Sequence, residues 1–215
     1  MGGVGLEFGA ANDPMPSAPG NKVYYADLYS DDEGKGSKVS KPKDFVKTDF
    51  CSSIDDYSDI NKMDFDFIVS SHVIEHTPKT IKAIKLAYEH LRPGGIFLAA
   101  VPHKALAYDM GRNETSLKHF IKDYESYDIV DDLEHLREYY PTQPDIVFGG
   151  KALDEVEKDL LAGEQLDIHY HAFTPNSFRQ LIVWFNNNVY KWKTSYVYDP
   201  IPYKDNKEFW VLLEK

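Results

Sequence analysis

The stretch DFDFIVSSHVIEHTPKTIKAIKLAYEHLRPGGIFLAAV (residues 64–101) decides the fold. It opens on a short apolar run, Asp64–Ser70, that is typical of a buried strand. A helix follows, for which Thr77 suits the N-cap and Pro78 the first helical position, and its apolar residues recur at spacings of three and four. The PGG turn at 93–95 ends this helix and leads into the strongest strand pattern, Ile96–Val101. Strand, helix and glycine-rich turn in this order predict a parallel crossover unit.

Similar apolar segments lie on both sides of this unit, which predicts one α/β sheet. A further helix is expected where Thr174-Pro175 opens a segment with apolar residues on one side. The additional predicted strands are Val4–Phe8, Lys22–Leu28, Phe45–Phe50, Lys191–Tyr198 and Glu208–Leu213. The polar stretch Asp31–Lys43, which contains Gly34 and Gly36, is interpreted as a mobile loop.

Residues 103 to about 168 differ from the rest of the chain because they are polar and contain no long apolar strand. The candidate helices in this range are Ser116–Tyr124, Asp131–Tyr140 and Leu153–Leu161. We interpret the range as a cap inserted into a single domain that spans residues 1–215, since a chain of this length is too short for two ordinary domains.

Composition narrows the classes of function. The 215 residues carry a net charge of −11 and their Lys residues are interleaved with Asp and Glu, which disfavours a nucleic-acid substrate. The single cysteine, Cys51, excludes an intrachain disulfide and a cysteine-based zinc site. Neither a signal peptide nor a membrane-spanning apolar run is present, so we expect a soluble cytoplasmic protein. The 15 Tyr and 12 Phe residues suit stacking on flat ligands or sugars.

An open α/β sheet binds its ligand at the carboxyl ends of the strands. Most of the predicted strand ends carry an acid or a histidine, whereas the first turn lacks the repeated glycines with which a dinucleotide site meets pyrophosphate. This pattern favours a ligand with hydroxyl groups and a positive charge. The strand-end groups are Glu7-Phe8-Gly9, Asp27, Asp49, Ser70-Ser71-His72 and Pro102-His103.

Several motifs together resemble class I S-adenosylmethionine-dependent methyltransferases. They are EFG at residues 7–9, Asp27, DFDFIVSSHVIEH at residues 64–76 and LRPGG at residues 91–95. Three further motifs, NDP at residues 12–14, TSLKHFIKDY at residues 115–124 and IHYHAFTP at residues 168–175, resemble a bacterial and viral subfamily associated with glycosyltransferases and surface polysaccharide synthesis. The resemblance covers essentially the whole chain and implies a Rossmann-like, doubly wound, mostly parallel seven-stranded sheet with an antiparallel last strand.

The resemblance also implies roles for individual residues around the cofactor S-adenosylmethionine. Glu7, Phe8 and Gly9 would border its methionine moiety, and Asp27 would accept hydrogen bonds from both ribose hydroxyls. Asp49 and Phe50 would meet the adenine, while Ser71 and His72 would line the sulfonium side. The competing interpretation of Asp27 and Asp49 is that they cap the next element.

Two departures from the family pattern stand out. The first turn, Glu7 to Asn12, has fewer glycines than usual, and the first strand starts at Val4 without the customary preceding helix. A partner subunit or domain covering that side, a more open pocket, or a longer original polypeptide would each explain the second departure.

Methylation of a hydroxyl group requires a base, and histidine titrates in the appropriate range. His169 and His171, two apart in an extended segment, are predicted to point to one side and are the first candidates. The next candidates are His119 and Asp123, four apart on a candidate helix. Asp123 or another carboxylate of the cap would orient the base. His103 is a further candidate for the base. The alternative for both pairs, His169/His171 and His119/Asp123, is that they lie on the solvated surface. A divalent metal could polarise the hydroxyl instead, but no ligand set is specific enough to assign one. His72 and His76, four apart, are interpreted as parts of a turn common to the family and not as a metal pair, with His76 packing and hydrogen-bonding structurally.

The sequence therefore predicts an S-adenosylmethionine-dependent O-methyltransferase that acts on a sugar hydroxyl of a glycan or glycan precursor. Its expected partner is the carbohydrate acceptor, with a homodimer or a glycosyltransferase partner as further options. Two alternatives stay open: a non-catalytic methyltransferase-fold module that serves a glycosyltransferase, and a methyltransferase acting on a small molecule.

Overall fold

The computed structural model describes residues 2–28, 46–60, 63–199 and 207–215. The predicted loop Asp31–Lys43 lies outside the described residues. The strands are β1 (Val4–Phe8), β2 (Lys22–Asp27), β3 (Phe50–Cys51), β4 (Phe65–Ser71), β5 (Leu91–Pro102), β6 (Thr194–Tyr198) and β7 (Glu208–Glu214). The helices are α1 (Thr80–His90), α2 (Leu117–Glu125), α3 (Ile129–Tyr139), α4 (Pro144–Val147), α5 (Leu153–Leu161) and α6 (Pro175–Asn188).

The strands form one seven-stranded sheet in the order β3-β2-β1-β4-β5-β7-β6. The pairs from β3 to β5 are parallel, whereas β7 pairs antiparallel with both β5 and β6. The strand order reverses between β1 and β4, which places the ligand-binding crevice of such a sheet beside the carboxyl ends of these two strands. The predicted fold class is confirmed.

Short apolar strands build the sheet because both of its faces are covered. Leu6, Ile68 and Phe97 lie at the centre of β1, β4 and β5 and are fully buried. Helices α1 and α6 contribute Ile81, Ile84, Leu181 and Phe185 to the same core. Burying apolar side chains on both faces is the dominant stabilising term for a sheet of this type.

The start of α1 corrects a prediction. The helix begins at Thr80, not beside Pro78 as the sequence suggested, and Lys79 occupies the N-cap. Thr77 Oγ1 accepts a hydrogen bond from the Lys79 N–H (3.1 Å) and so forms a local turn. The Pro78 carbonyl lies 2.9 Å from His171 Nε2, which draws this residue away from the helix.

Two strand predictions need smaller corrections. The strand expected at Phe45–Phe50 is reduced, within the described residues, to Phe50–Cys51. Strand β5 begins at Leu91 and includes the PGG segment, but its pairing passes from Phe65–Leu91 directly to Phe67–Ile96. Residues 92–95 therefore bulge out of the ladder, and the positive φ of 80° at Gly94 permits this.

Residues 103–168 carry helices α2 to α5 and, as predicted, no strand. Helix α2 packs on α1 and α6, and its Phe120 joins the main core. The remaining helices enclose a small cluster of their own around Leu136, Val156 and Leu160. The cap interpretation thus suits α3 to α5 better than α2, which belongs to the helical layer over the sheet.

Candidate functional site

The carboxyl ends of β1, β2 and β4 lie side by side at one edge of the sheet. The turn after β1 contains two residues with positive φ, Gly9 (66°) and Ala11 (46°), and the turn after β4 contains a third, His72 (52°). Left-handed conformations at non-glycine residues are uncommon and concentrate at functional sites. This edge is therefore the first candidate for a binding site.

Glu7 brings a buried carboxyl group to this edge. Its side chain lies on β1, is almost fully buried, and accepts a hydrogen bond through Oε1 from the backbone N–H of Met15 (2.9 Å). Burial raises the pKa of Glu7, and the nearby charge of Asp13 adds to that effect, although the Met15 hydrogen bond opposes it. Glu7 therefore holds the loop of residues 10–15 over the edge of the sheet.

Gly9 permits a close approach between the turns after β1 and β4. A Cβ atom at this position would lie 2.4 Å from Cγ2 of Val73, and φ is in the left-handed region. The Gly9 N–H donates to the Ala26 carbonyl (3.0 Å), which extends the pairing of β1 with β2. The contact that requires glycine at this position is thus with Val73, another residue of the protein.

Asp27 ends β2 beside a small cavity. The cavity lies between the turn after β1 and the segment that precedes β3, and it is lined by Ala10, Ala11, Tyr25, Ala26, Asp27, Val46 and Thr48. A carboxylate next to a space between strand ends is suited to accept hydrogen bonds from ligand hydroxyls.

Three other predicted cofactor residues have definite partners within the protein. Phe8 is in the core, with its ring centroid 5.1 Å from that of Tyr57, so that only its backbone can face a ligand. Asp49 accepts a hydrogen bond through Oδ2 from the Tyr25 backbone N–H (3.0 Å). The Phe50 ring packs on Tyr24 at a centroid distance of 5.7 Å.

The turn after β4 contains the last two predicted cofactor residues. Ser71 is the final residue of β4 and pairs with Ala100. His72 is exposed, and its Nε2 lies 2.7 Å from the Glu208 carboxylate on the neighbouring end of β7. Both residues thus stand at the carboxyl edge of the sheet, on the far side of Gly9 from Asp27.

His169 lies in a buried charged cluster beside this turn. Its Nδ1 is 2.7 Å from Asp109 Oδ2, and the other carboxylate oxygen of Asp109 accepts from Arg112 Nη1 (2.6 Å). Arg112 also donates to the carbonyls of His169 (2.8 Å) and Tyr170 (3.0 Å). Because an ionised carboxylate only accepts, Nδ1 of His169 carries the proton and Nε2 keeps its lone pair.

The surroundings of His169 make its neutral ring a stronger base. Burial lowers its pKa, but the hydrogen bond to Asp109 and the charge of Glu75 outweigh burial and raise the pKa above its ordinary value. The ring lies edge-on to His76 at a centroid distance of 4.9 Å. The backbone N–H of Tyr170 donates to the Glu75 carbonyl (2.8 Å), which ties this segment to the turn after β4.

Glu75 is fully buried, and neither of its carboxylate oxygens has a hydrogen-bond partner. One of them lies 3.6 Å from Nδ1 of His72 and 4.0 Å from Nε2 of His76. Glu75, His76 and His169 bring donor atoms within 4.8 Å of one another, close enough to hold a cation. A buried carboxylate without partners is costly, so this group is suited to a positively charged ligand.

His171, His119 and Asp123 form a second cluster with His135. Asp123 Oδ2 lies 3.1 Å from His119 Nε2, 3.2 Å from His135 Nε2 and 3.5 Å from His171 Nε2. Burial raises the pKa of Asp123, but the hydrogen bonds from His119 and His135 outweigh it and hold the pKa well below its usual range. Burial, aided by the charge of His135, lowers the pKa of His171 to about 3.

The four predicted catalytic residues therefore do not form one group. His169 pairs with Asp109, whereas His171 is fully buried and joins His119 and Asp123. The expectation that His169 and His171 point to one side is not met, because their segment is bent and unpaired, not a strand. His103 accepts a hydrogen bond from the Ala105 N–H (3.2 Å), and its ring lies edge-on to Phe209 at a centroid distance of 6.5 Å.

Sequence reasoning missed Asp109, Arg112, Glu75 and His135. Asp109, Arg112 and His135 have partners that are distant in sequence; Asp109, for example, meets His169 sixty residues later. The Glu75 carboxylate lies close to its sequence neighbours His72 and His76. The only local signal was the HVIEH motif, in which Glu75 lies between the two histidines.

Comparisons with known proteins agree with this geometry. The sequence pattern of a family described as "Methyltransferase domain" matches residues 2–182. No curated protein matches the chain. An S-adenosylmethionine-dependent methyltransferase from Clostridium acetobutylicum ATCC 824 has a similar structure, with a TM-score of 0.50, 11% identity and coverage of 98% of this chain and 83% of that one.

Two further solved structures have the same TM-score of 0.50. The plantazolicin methyltransferase BpumL is 11% identical, with 99% of this chain and 76% of that one covered. The CurJ carbon methyltransferase is 10% identical and covers 99% of this chain, which in turn spans 48% of that chain, about half its length. At these identities the likeness concerns the fold.

No helix in the described residues is long and apolar enough to cross a membrane. The family match over most of the chain, together with the sheet order and the strand-end site, identifies the chain as a member of the methyltransferase-domain family.

Proposed function

We propose that the protein is an S-adenosylmethionine-dependent O-methyltransferase that methylates a sugar hydroxyl of a glycan or glycan precursor. The observation that carries the proposal is the buried His169–Asp109 pair (2.7 Å) beside the turn after β4. A histidine with an orienting carboxylate is the arrangement that removes a proton from a hydroxyl nucleophile.

The residues at the strand ends fit this cofactor. Asp27 ends β2 at the carboxyl edge of the sheet, where ribose hydroxyls can meet its carboxylate. Glu7 adds an acidic group to the same edge, which suits a cationic sulfonium ligand. The first turn has the single glycine Gly9 in place of a glycine-rich phosphate loop, and S-adenosylmethionine has no phosphate to bind. When bound, the cofactor supplies an activated methyl group.

His169 provides the base. Its Nδ1–H donates to Asp109, so that Nε2 can take the proton of the acceptor hydroxyl as the oxygen attacks the methyl carbon and the carbon–sulfur bond breaks. The positive charge that develops on the ring is stabilised by the Asp109 carboxylate, and Arg112 holds that carboxylate in place. Asp109 and Arg112 are positioning residues in this scheme.

The loop that precedes α2 offers a surface on which the acceptor can bind. Tyr108 is 56% exposed, and its ring lies 6.1 Å from that of His169 in an edge-on arrangement. An exposed aromatic ring next to a base offers the apolar face on which a sugar stacks. A cleft of about 290 Å³ in the cap extends to Asp167, and the Asp167 carboxylate lies 3.4 Å from His76. This cleft offers room for neighbouring units of a polar acceptor.

Calorimetry and turnover measurements separate the parts of the proposal. His169→Ala should retain its affinity for S-adenosylmethionine while turnover falls by about 10²-fold or more, the usual contribution of a positioned base. Unchanged turnover would refute the base assignment. Failure of the unmodified protein to bind S-adenosylmethionine would refute the cofactor assignment and favour the non-catalytic module. Methyl transfer to small metabolites alone would favour the small-molecule alternative.

A further inference from the structure

Three side chains from two helices converge on one point at the junction of α2 and α3. His119 and Asp123 lie one turn apart on α2, and His135 lies on α3. Asp123 Oδ2 is 3.1 Å from His119 Nε2 and 3.2 Å from His135 Nε2, and the two Nε2 atoms are 3.4 Å apart. The side chains of Asp123 and His135 are each 1% exposed, so water cannot screen them.

The contacts around this triad direct His135 Nε2 toward the Asp123 carboxylate. His135 Nδ1 lies 3.0 Å from the Tyr170 carbonyl, and a carbonyl only accepts, so the proton is on Nδ1. Nε2 then faces the Asp123 carboxylate, and this contact is favourable when Nε2 carries a second proton or binds a metal cation. The second carboxylate oxygen, Oδ1, is buried without any hydrogen-bond partner. The group therefore has a place for a positive charge, either a proton or a metal ion, between its nitrogen and oxygen atoms.

The spacing of the donor atoms matches a first-row divalent metal ion. Zinc binds histidine nitrogen and carboxylate oxygen at about 2.0–2.2 Å, for which tetrahedral geometry places the ligand atoms about 3.3–3.5 Å apart. The three observed distances, 3.1, 3.2 and 3.4 Å, are within about 0.2 Å of that range. The Tyr170 carbonyl supplies the outer-shell hydrogen bond that commonly fixes the tautomer of a metal-binding histidine.

We propose that His119, Asp123 and His135 bind a divalent transition-metal ion of the zinc class. Imidazole and carboxylate ligands in this ratio suit zinc better than magnesium or calcium, which prefer oxygen ligands. His171 borders the site 3.5 Å from Asp123 but keeps its contact with the Pro78 carbonyl, so that the fourth position is left to a water or another small ligand.

The ion would join the cap to the body of the protein. Its ligands belong to α2, which packs on the core helices, and to α3, which packs with the cap. The Tyr170 carbonyl bonded to His135 belongs to the same segment as His169. Metal binding thus stabilises α3 against α2 and fixes the segment that bears the proposed base, whatever the methyl acceptor is.

Zinc binding by the full-length protein tests the site without any activity measurement. After removal of metal with a chelator, zinc is titrated against a chromophoric competitor, and bound metal is counted by mass spectrometry. The unmodified protein should bind zinc tightly, with a higher melting temperature. Asp123→Asn and His119→Gln should each weaken binding by at least about 100-fold, the upper end of the cost of losing even an outer-shell partner.

Glu125→Gln is the matched control, because Glu125 is an exposed carboxylate on the same helix; it should bind zinc as the unmodified protein does. His119 is 31% exposed, so its replacement leaves the core intact, and circular dichroism verifies the fold. The proposal is overturned if the unmodified protein binds no zinc, or if His119→Gln and Asp123→Asn bind it as tightly as the control. It is also overturned if Glu75→Gln, in the other cluster, is the variant that abolishes binding.

Discussion

Replacing Gly9 by alanine tests the account of the first turn most sharply. The new Cβ would lie 2.4 Å from Val73 Cγ2, well short of the 3.4 Å at which ordinary contact begins, and φ is +66°. The left-handed conformation costs a non-glycine residue roughly 1–2 kcal/mol, and overpacking costs about 1–3 kcal/mol more. We expect Gly9→Ala to lower the free energy of unfolding by about 2–5 kcal/mol, measured by urea denaturation.

Two companion variants separate the steric and conformational parts. Gly94 also has a positive φ, but a Cβ there meets nothing within 4 Å, so Gly94→Ala should cost only about 1–2 kcal/mol. Val73→Ala removes Cγ2 and leaves Cβ at 3.8 Å from the new methyl group. In that background Gly9→Ala should cost no more than Gly94→Ala. An equal cost of Gly9→Ala with and without the Val73 change would refute the reasoning.

Three further outcomes follow from the site. Glu7→Gln should raise the free energy of unfolding at neutral pH, because burial raises the pKa of Glu7 in the folded state. A carboxyl group with a raised folded-state pKa favours folding at pH values below its unfolded-state pKa, and this contribution is lost as the pH rises. The gain from Gln should therefore vanish below about pH 4 when urea denaturation is repeated across pH. Asp109→Asn should lower the free energy of unfolding by up to about 3–5 kcal/mol, since it removes the buried carboxylate beside Arg112 and leaves that guanidinium with the partly exposed Glu138 as its ion-pair partner; urea denaturation measures the loss. Asp27→Ala should weaken S-adenosylmethionine binding by roughly 10–100-fold in calorimetry, the value of hydrogen bonds to a charged group.

Local sequence patterns were sufficient to predict most elements of the fold. Strand β1 and helix α5 have the predicted bounds, and Thr174 caps α6 as expected. The predicted start of α1 was wrong: Lys79 is the N-cap, and the Pro78 carbonyl instead contacts His171, ninety-three residues away. A pattern of neighbours in sequence contains no information about such a contact.

The candidate site was predictable only in part. Strand ends converge in any sheet of this topology, so Glu7, Asp27 and His72 could be expected at one edge. The pairing of His169 with Asp109, and of Asp123 with His135, depends on how α2, α3 and the bent segment 168–173 pack. The period-two rule failed for His169 and His171 because it holds only in a regular strand.

Transfer of an isotopically labelled methyl group tests the central claim most directly. The protein is incubated with labelled S-adenosylmethionine and matched oligosaccharides and amine-bearing acceptors, and mass spectrometry locates the label. We expect label on a sugar hydroxyl with the unmodified protein and its loss with His169→Ala. Label confined to nitrogen or carbon would exclude sugar O-methylation, and undiminished label in His169→Ala would exclude His169 as the base.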